Sequence, residues 1–170
     1  MGEEPWLSGP VPGVDPYLQP VAHALLQVRE DLPRVTAGLD HRQLWARPGG
    51  AASVGFHLRH MAGSIDRLLT YARGEALTDA QKAVARAEQA PGDAPDPGPL
   101  VLLAQAAIDF ALAQVRATRR ESLLERRAVG RAQLPTTVLG LLFHVAEHTQ
   151  RHTGQLIATA KTVRDGGGAA

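Results

Sequence analysis

The chain has 170 residues, 44% of them apolar, and its 18 Lys and Arg against 17 Asp and Glu leave a formal charge of +1. That length fits one domain with an ordinary core, the apolar content excludes a disordered chain, and the balanced charge offers no broad attraction to nucleic acid or an anionic membrane. Cysteine is absent, which excludes disulfides, thiolate ligands and a cysteine nucleophile together and leaves imidazole and oxygen to hold any metal.

Aromatic residues are only 4% of the chain, so Leu, Ala and Val must fill the interior, a composition that favours helices. Residues 1–14 read as an irregular arm. Met1 to Pro12 is rich in Gly and Pro and has no basic start leading into an apolar run, so it is not expected to be a signal peptide. No apolar stretch reads as long enough to span a bilayer, and the expected location is the cytoplasm. Asp15 followed by Pro16 marks a helix start. Leu18, Val21, Leu25, Val28 and Leu32 then recur at spacings of three and four, giving one apolar stripe. Pro33 should kink or end this first long helix. Asp40 to Trp45 adds a short helical turn before the break at Arg47-Pro48-Gly49-Gly50.

Ser53 caps a second long helix that Gly74 stops. Thr78 to Gln89 reads as a short polar helix on the surface, and Ala90 to Pro99, with four prolines and two glycines, as a loop. A third long helix runs from about Leu100 to Arg119, with Leu103, Ala106, Ala107, Phe110, Ala111 and Val115 inward. Arg119 to Arg131 is charged and irregular, and reads as a solvated surface. Thr136 or Thr137 then caps a fourth long helix to roughly Val163, and 164–170 is expected to be a disordered tail. Four long amphipathic segments without clear strand alternation predict an all-α chain, a four-helix bundle over 15–163 with short extra helices in the connections.

Five of the seven histidines fall in two clusters. On the fourth helix His148 and His152 are four apart and share a face, as do His144 and His148. The seam Val138, Leu141, Val145, His148, His152, Gln155, Thr159 favours the former pair, because both histidines take positions where leucine or valine would face a core. Buried imidazoles need partners, and a metal ion would satisfy both. A single inward histidine is more often a hydrogen-bonded core residue, and an i, i+4 pair on a solvated face is common. On the second helix His57 lies nearer the centre of the apolar stripe than His60, so the helical wheel alone favours His57 as a third ligand. His23 and His41 read as surface or hydrogen-bonding histidines.

At Arg59-His60-Met61-Ala62-Gly63-Ser64 and His148-Thr149-Gln150-Arg151-His152-Thr153-Gly154-Gln155-Leu156 the chain resembles the DinB-like (DinB/YfiT-like) superfamily of metalloenzymes. Leu18 to Trp45 looks like that family's first helix and following turn, and the likeness covers about Asp15 to Thr162. The resemblance implies an up-down-down-up four-helix bundle, often a homodimer. It implies a divalent metal on His60, His148 and His152, with His60 chosen against the wheel. It implies no kinship with the DNA polymerase that shares the label.

Three neutral imidazoles with open positions suit zinc, nickel, iron or manganese, and the ligand set does not decide among them; zinc or nickel is the first expectation. Characterised relatives imply a thiol-dependent transferase or isomerase using low-molecular-weight thiols such as bacillithiol or mycothiol. With no cysteine of its own, this chain would take the thiol as a cosubstrate beside a small-molecule electrophile. The leading expectation is a metal-dependent thiol S-transferase or related detoxification enzyme. A metal-dependent hydrolase is a second enzymatic expectation, with Glu147 or Asp66 as the available bases and Asp66 alternatively orienting a ligand. A third is a non-catalytic metal- or small-molecule-binding bundle, a stress-response module.

Overall fold

The long helices begin where a side-chain acceptor meets free backbone N–H groups. In the computed structural model, which describes residues 4–166, Asp15 Oδ1 accepts from Tyr17 N at 2.9 Å and starts a 3-10 turn at Pro16–Leu18. That turn leads into α1 (Gln19–Thr36). A reciprocal capping box of Asp40 and Gln43 opens α2 (His41–Trp45). Ser53 Oγ accepts from Phe56 N at 3.1 Å and opens α3 (Val54–Ala72). A second capping box, Thr78 with Gln81, opens α4 (Asp79–Ala87). After α5 (Gly98–Ala117), Thr137 Oγ1 accepts from Gly140 N at 3.0 Å, making Thr137 rather than Thr136 the cap of α6 (Val138–Asp165). Among the described residues the chain is mostly helical, with these six helices and one two-stranded hairpin.

α1 and α3 each pack against both α5 and α6. Leu25, Leu58, Met61, Ile65, Ile108 and Leu156 are wholly removed from solvent between them. Burial of each such side chain stabilises by about 1.5–3 kcal/mol. Cross-helix bonds fix the registration. Ala24 O accepts from Gln150 Nε2 at 3.0 Å, Val35 O from Arg164 Nη2 at 2.9 Å, and Ala52 O from Thr159 Oγ1 at 3.3 Å.

Several expectations are corrected. Pro33 does not end the first helix, which continues to Thr36. The carbonyl that loses its helical donor there, Arg29 O, accepts from Gln105 Nε2 of α5 at 3.0 Å, so tertiary contact replaces the missing N–H. The arm contains a 3-10 turn at Pro5–Leu7, and Val11 and Val14 join the core. Gln19 ties that segment down by bonding Val11 N, Val11 O and Val14 O. The charged stretch after α5 holds a hairpin, β1 (Arg126–Val129) antiparallel to β2 (Leu134–Thr137). Four-residue strands are too short for alternation to stand out, and Arg127 Nε pins the hairpin to Ala72 O at 2.8 Å. α6 runs to Asp165, and the remainder of the tail, 167–170, lies outside the described residues, as do 1–3 of the arm.

The inward face of α5 also differs from expectation. Ala111 and Val115 are buried as expected, together with Val101, Ala104, Ile108 and Leu112. Leu103 and Phe110, expected inside, are exposed, as is Leu102. A helix apolar around much of its circumference does not reveal from periodicity which side meets the core. By length and composition α5 is long and apolar enough to cross a bilayer, where no such stretch was expected, but a third of that window is buried against the rest of the chain.

Candidate metal centre

Two helices bring the histidines together. His60, in the second turn of α3, and His148 and His152, one turn apart on α6, have ring nitrogens within 4.8 Å of one another, the spacing of a group able to hold a metal ion. His60 Nε2 lies 3.0 Å from His148 Nε2. The ring centroids of His60 and His152 are 4.5 Å apart, as are those of His148 and His152. Phe56, one turn before His60, stacks on its ring at 5.2 Å between centroids and 11° between planes.

His57, which the wheel favoured, is buried, but its Nδ1 faces His152 Nδ1 at 3.0 Å. It stands behind a member of the group rather than within it. His144 is exposed at the rim, bonded to Glu147 Oε2 at 3.2 Å. The buried line of α6 passes through Val145, Thr149, Thr153 and Leu156, while Gln155 is exposed. His148 and His152 therefore border the core, half-buried, instead of lying on its centre line as the seam suggested. His23 and His41 are hydrogen-bonding histidines, to Gly9 O at 3.0 Å and Ala94 O at 2.8 Å.

Glu88 is the residue that sequence reasoning missed. It caps the C-terminal end of α4, a helix with no buried residue of its own, yet its side chain turns inward and is itself buried. Its Oε2 accepts from His60 Nδ1 at 2.7 Å, and its Oε1 from Arg67 Nη1 at 2.6 Å. Burial pushes this carboxyl up, but the bonds from His60 and Arg67 outweigh it and leave the pKa below the ordinary value. The only signal in the sequence was a charged residue ending a polar helix, which is ordinary. Asp66 instead accepts from Gln81 Nε2 at 2.9 Å on the surface, and Glu147 pairs with Arg151. Neither candidate base turns toward the group.

Burial disfavours the charged form of three of these rings. Burial, and then the neighbouring His60, push His57 and His148 down to about 4. Burial, and then His60 and His148, push His152 down to about 3. These rings are neutral near pH 7 and can offer lone pairs. His148 Nδ1 is buried without a partner among the described residues. His60 Nδ1 donates to Glu88 Oε2, and its Nε2 faces His148 Nε2 at 3.0 Å. Whichever tautomer His148 takes, one of its nitrogens stays unpaired, a polar deficit that marks a place for something further. The donor set of three imidazoles fits a divalent transition metal.

Fold and site together define a helical protein with a three-histidine group of metal-binding dimensions. The family model described as DinB superfamily matches residues 24–156, most of the chain, and the protein belongs to that superfamily. No curated protein matches it.

Proposed function

We propose that this protein is a metal-dependent enzyme that joins a low-molecular-weight thiol to a small electrophile, with zinc or nickel, or alternatively iron or manganese, on His60, His148 and His152. The observation that carries this reading is the convergence of three imidazoles from α3 and α6 within 4.8 Å, in a chain of the DinB superfamily. A bound divalent metal would supply Lewis acidity that lowers the pKa of a coordinated thiol or water. The chain's own residues do the rest. Glu88 holds the Nδ1 proton of His60, and Phe56 covers one face of that ring. Having no cysteine, the protein takes its thiol from solution. The hydrolase alternative loses support because Asp66 and Glu147 are both engaged elsewhere.

The fold is read with this function as an up-down-down-up four-helix bundle. The bonds Ala24–Gln150 and Val35–Arg164 support α1 alongside α6 in the same direction. Ala52–Thr159 and His60–His148 support α3 against α6 in opposite directions, and Arg29–Asp109 with Asp15–Arg120 support α5 against α1 likewise. The exposed Leu102, Leu103 and Phe110 on α5 suit a homodimer face. Location in the cytoplasm, without nucleic-acid or membrane partners, completes the reading.

Metal content of the untagged protein, beside a His148→Ala/His152→Ala variant, tests the centre. Near-stoichiometric metal lost in the folded variant is expected, followed by metal-dependent consumption of an electrophile by a thiol. No uptake of zinc, nickel, iron or manganese would end the metalloenzyme reading. Metal uptake without turnover across a broad thiol and electrophile panel would favour a binding module.

A further inference from the structure

We propose that Glu88, crossing over Gly63 and held by Arg67, is a positioning residue for the metal centre: it accepts the hydrogen bond of His60 Nδ1–H and so aims the Nε2 lone pair of that ring at His148 and His152. This rests on the metal reading above and goes beyond it, because Glu88 belongs to none of the helices that carry the histidines.

Three observations carry it. The first is burial. Glu88 is 4% exposed although α4, which it ends, has no buried residue. Burying a carboxylate is unfavourable unless it is paired and hydrogen-bonded, and nothing in the packing of α4 demands that this residue point inward. The second is the pairing. One carboxylate oxygen takes the bond from His60 Nδ1 at 2.7 Å and the other a bond from Arg67 Nη1 at 2.6 Å. A carboxylate is an obligate acceptor when ionised, so with this bond a neutral imidazole at His60 is the Nδ1–H tautomer, its Nε2 lone pair directed at His148. A carboxylate behind a metal-ligating histidine fixes ring and tautomer and raises the basicity of the ligating nitrogen.

The third observation is the glycine. A Cβ on Gly63 would overlap Glu88 Oε1 and lie 2.8 Å from Arg67 Nη1. Gly63 is in the interior of α3, where glycine is unfavourable relative to alanine. Its position is explained by the crossing: the carboxylate passes over bare backbone to reach His60. The atom that a Cβ would strike is the far end of the Glu88 side chain, so a methyl group there evicts the carboxylate rather than bending the helix.

The competing account is that Glu88 merely pins α4 to α3 through Arg67. The test uses the full chain with Glu88→Gln, Glu88→Ala and Gly63→Ala, reading zinc affinity by chelator competition and the His60 tautomer from imidazole 15N shifts of the metal-free protein. In the unsubstituted chain His60 is expected as Nδ1–H. Glu88→Ala and Gly63→Ala should release that tautomer and weaken zinc binding by about 10- to 100-fold. Glu88→Gln, which keeps an acceptor oxygen at the same reach, should preserve the tautomer and lose less affinity. Should Glu88→Ala fail to fold, Gly63→Ala and Glu88→Gln carry the comparison. A pin alone would lower the melting temperature of Glu88→Ala while leaving tautomer and zinc affinity within twofold, and that result overturns the proposal. Binding of zinc, nickel, iron and manganese all no tighter in the unsubstituted chain than in His148→Ala/His152→Ala would overturn the metal reading and this proposal with it. Equal, tight binding in all three variants would overturn the positioning role alone.

Discussion

α5 and α6 are the two long helices of the second half of the chain, and they break the inside–outside rule in opposite ways. α6 turns polar groups inward: Thr149 and Thr153 are buried, and His148 and His152 are half-buried beside them. α5 turns apolar groups outward: Leu102 is 68% exposed, Leu103 51% and Phe110 53%. Each departure is informative because each is unfavourable alone. Buried threonines satisfy themselves locally, Thr149 Oγ1 on Val145 O at 2.6 Å and Thr153 Oγ1 on Thr149 O at 2.8 Å. Imidazoles cannot do this within the helix, so they mark a centre. The leucines and the phenylalanine of α5 lie exposed among the described residues, and they are the face offered above to a second copy.

Making α6 resemble α5 is the strongest way to break that comparison. His148→Leu with His152→Leu should abolish metal binding and raise the stability of the metal-free fold, by about 1–2 kcal/mol for two half-buried apolar side chains, read from urea midpoints. Unchanged or lower stability would mean that the imidazoles are satisfied without an ion.

The next effect is on pH dependence. Burial pushes His57 and His148 down to about 4 and His152 down to about 3 in the folded chain, below the ordinary value of roughly 6.5. The unfolded chain therefore binds more protons between those values, and stability should fall as pH drops from roughly 6.5 towards 4. The double leucine variant should flatten that loss, leaving the share due to His57. A flat profile in the unsubstituted metal-free chain would contradict the burial of these rings.

Making α5 resemble an ordinary surface helix sharpens the other half. Phe110→Asp should turn a dimer into a monomer by light scattering, with monomer stability changed by no more than about 0.5 kcal/mol. A chain already monomeric at high concentration would leave that face without the proposed partner. The smallest effect lies at the contact of α5 with α1. Gln105→Ala removes the donor to Arg29 O below Pro33 and should cost about 1 kcal/mol. Restoring the helical donor with Pro33→Ala should recover most of it.

Local chemistry by itself determined the parts of this protein that depend on neighbours in sequence. The caps at Asp15 and Ser53 and the stripe from Leu18 to Leu32 are visible because helix signals act over three or four residues. The shared face of His148 and His152 follows from the same geometry. Tertiary structure decided the remainder. The buried line along the 28 residues of α6 runs through Thr149 and Thr153 rather than through the histidines, because a three-four seam drifts around a helix with 3.6 residues per turn. The wheel located His57 in the interior correctly, but burial is not ligation: its ring backs onto His152 while His60 meets the pair. Gln105 rescues α1 past Pro33 from another helix. Glu88 had no local signature, because its partners His60 and Arg67 stand 28 and 21 residues away, and a carboxylate's role is set by what faces it once the chain has folded.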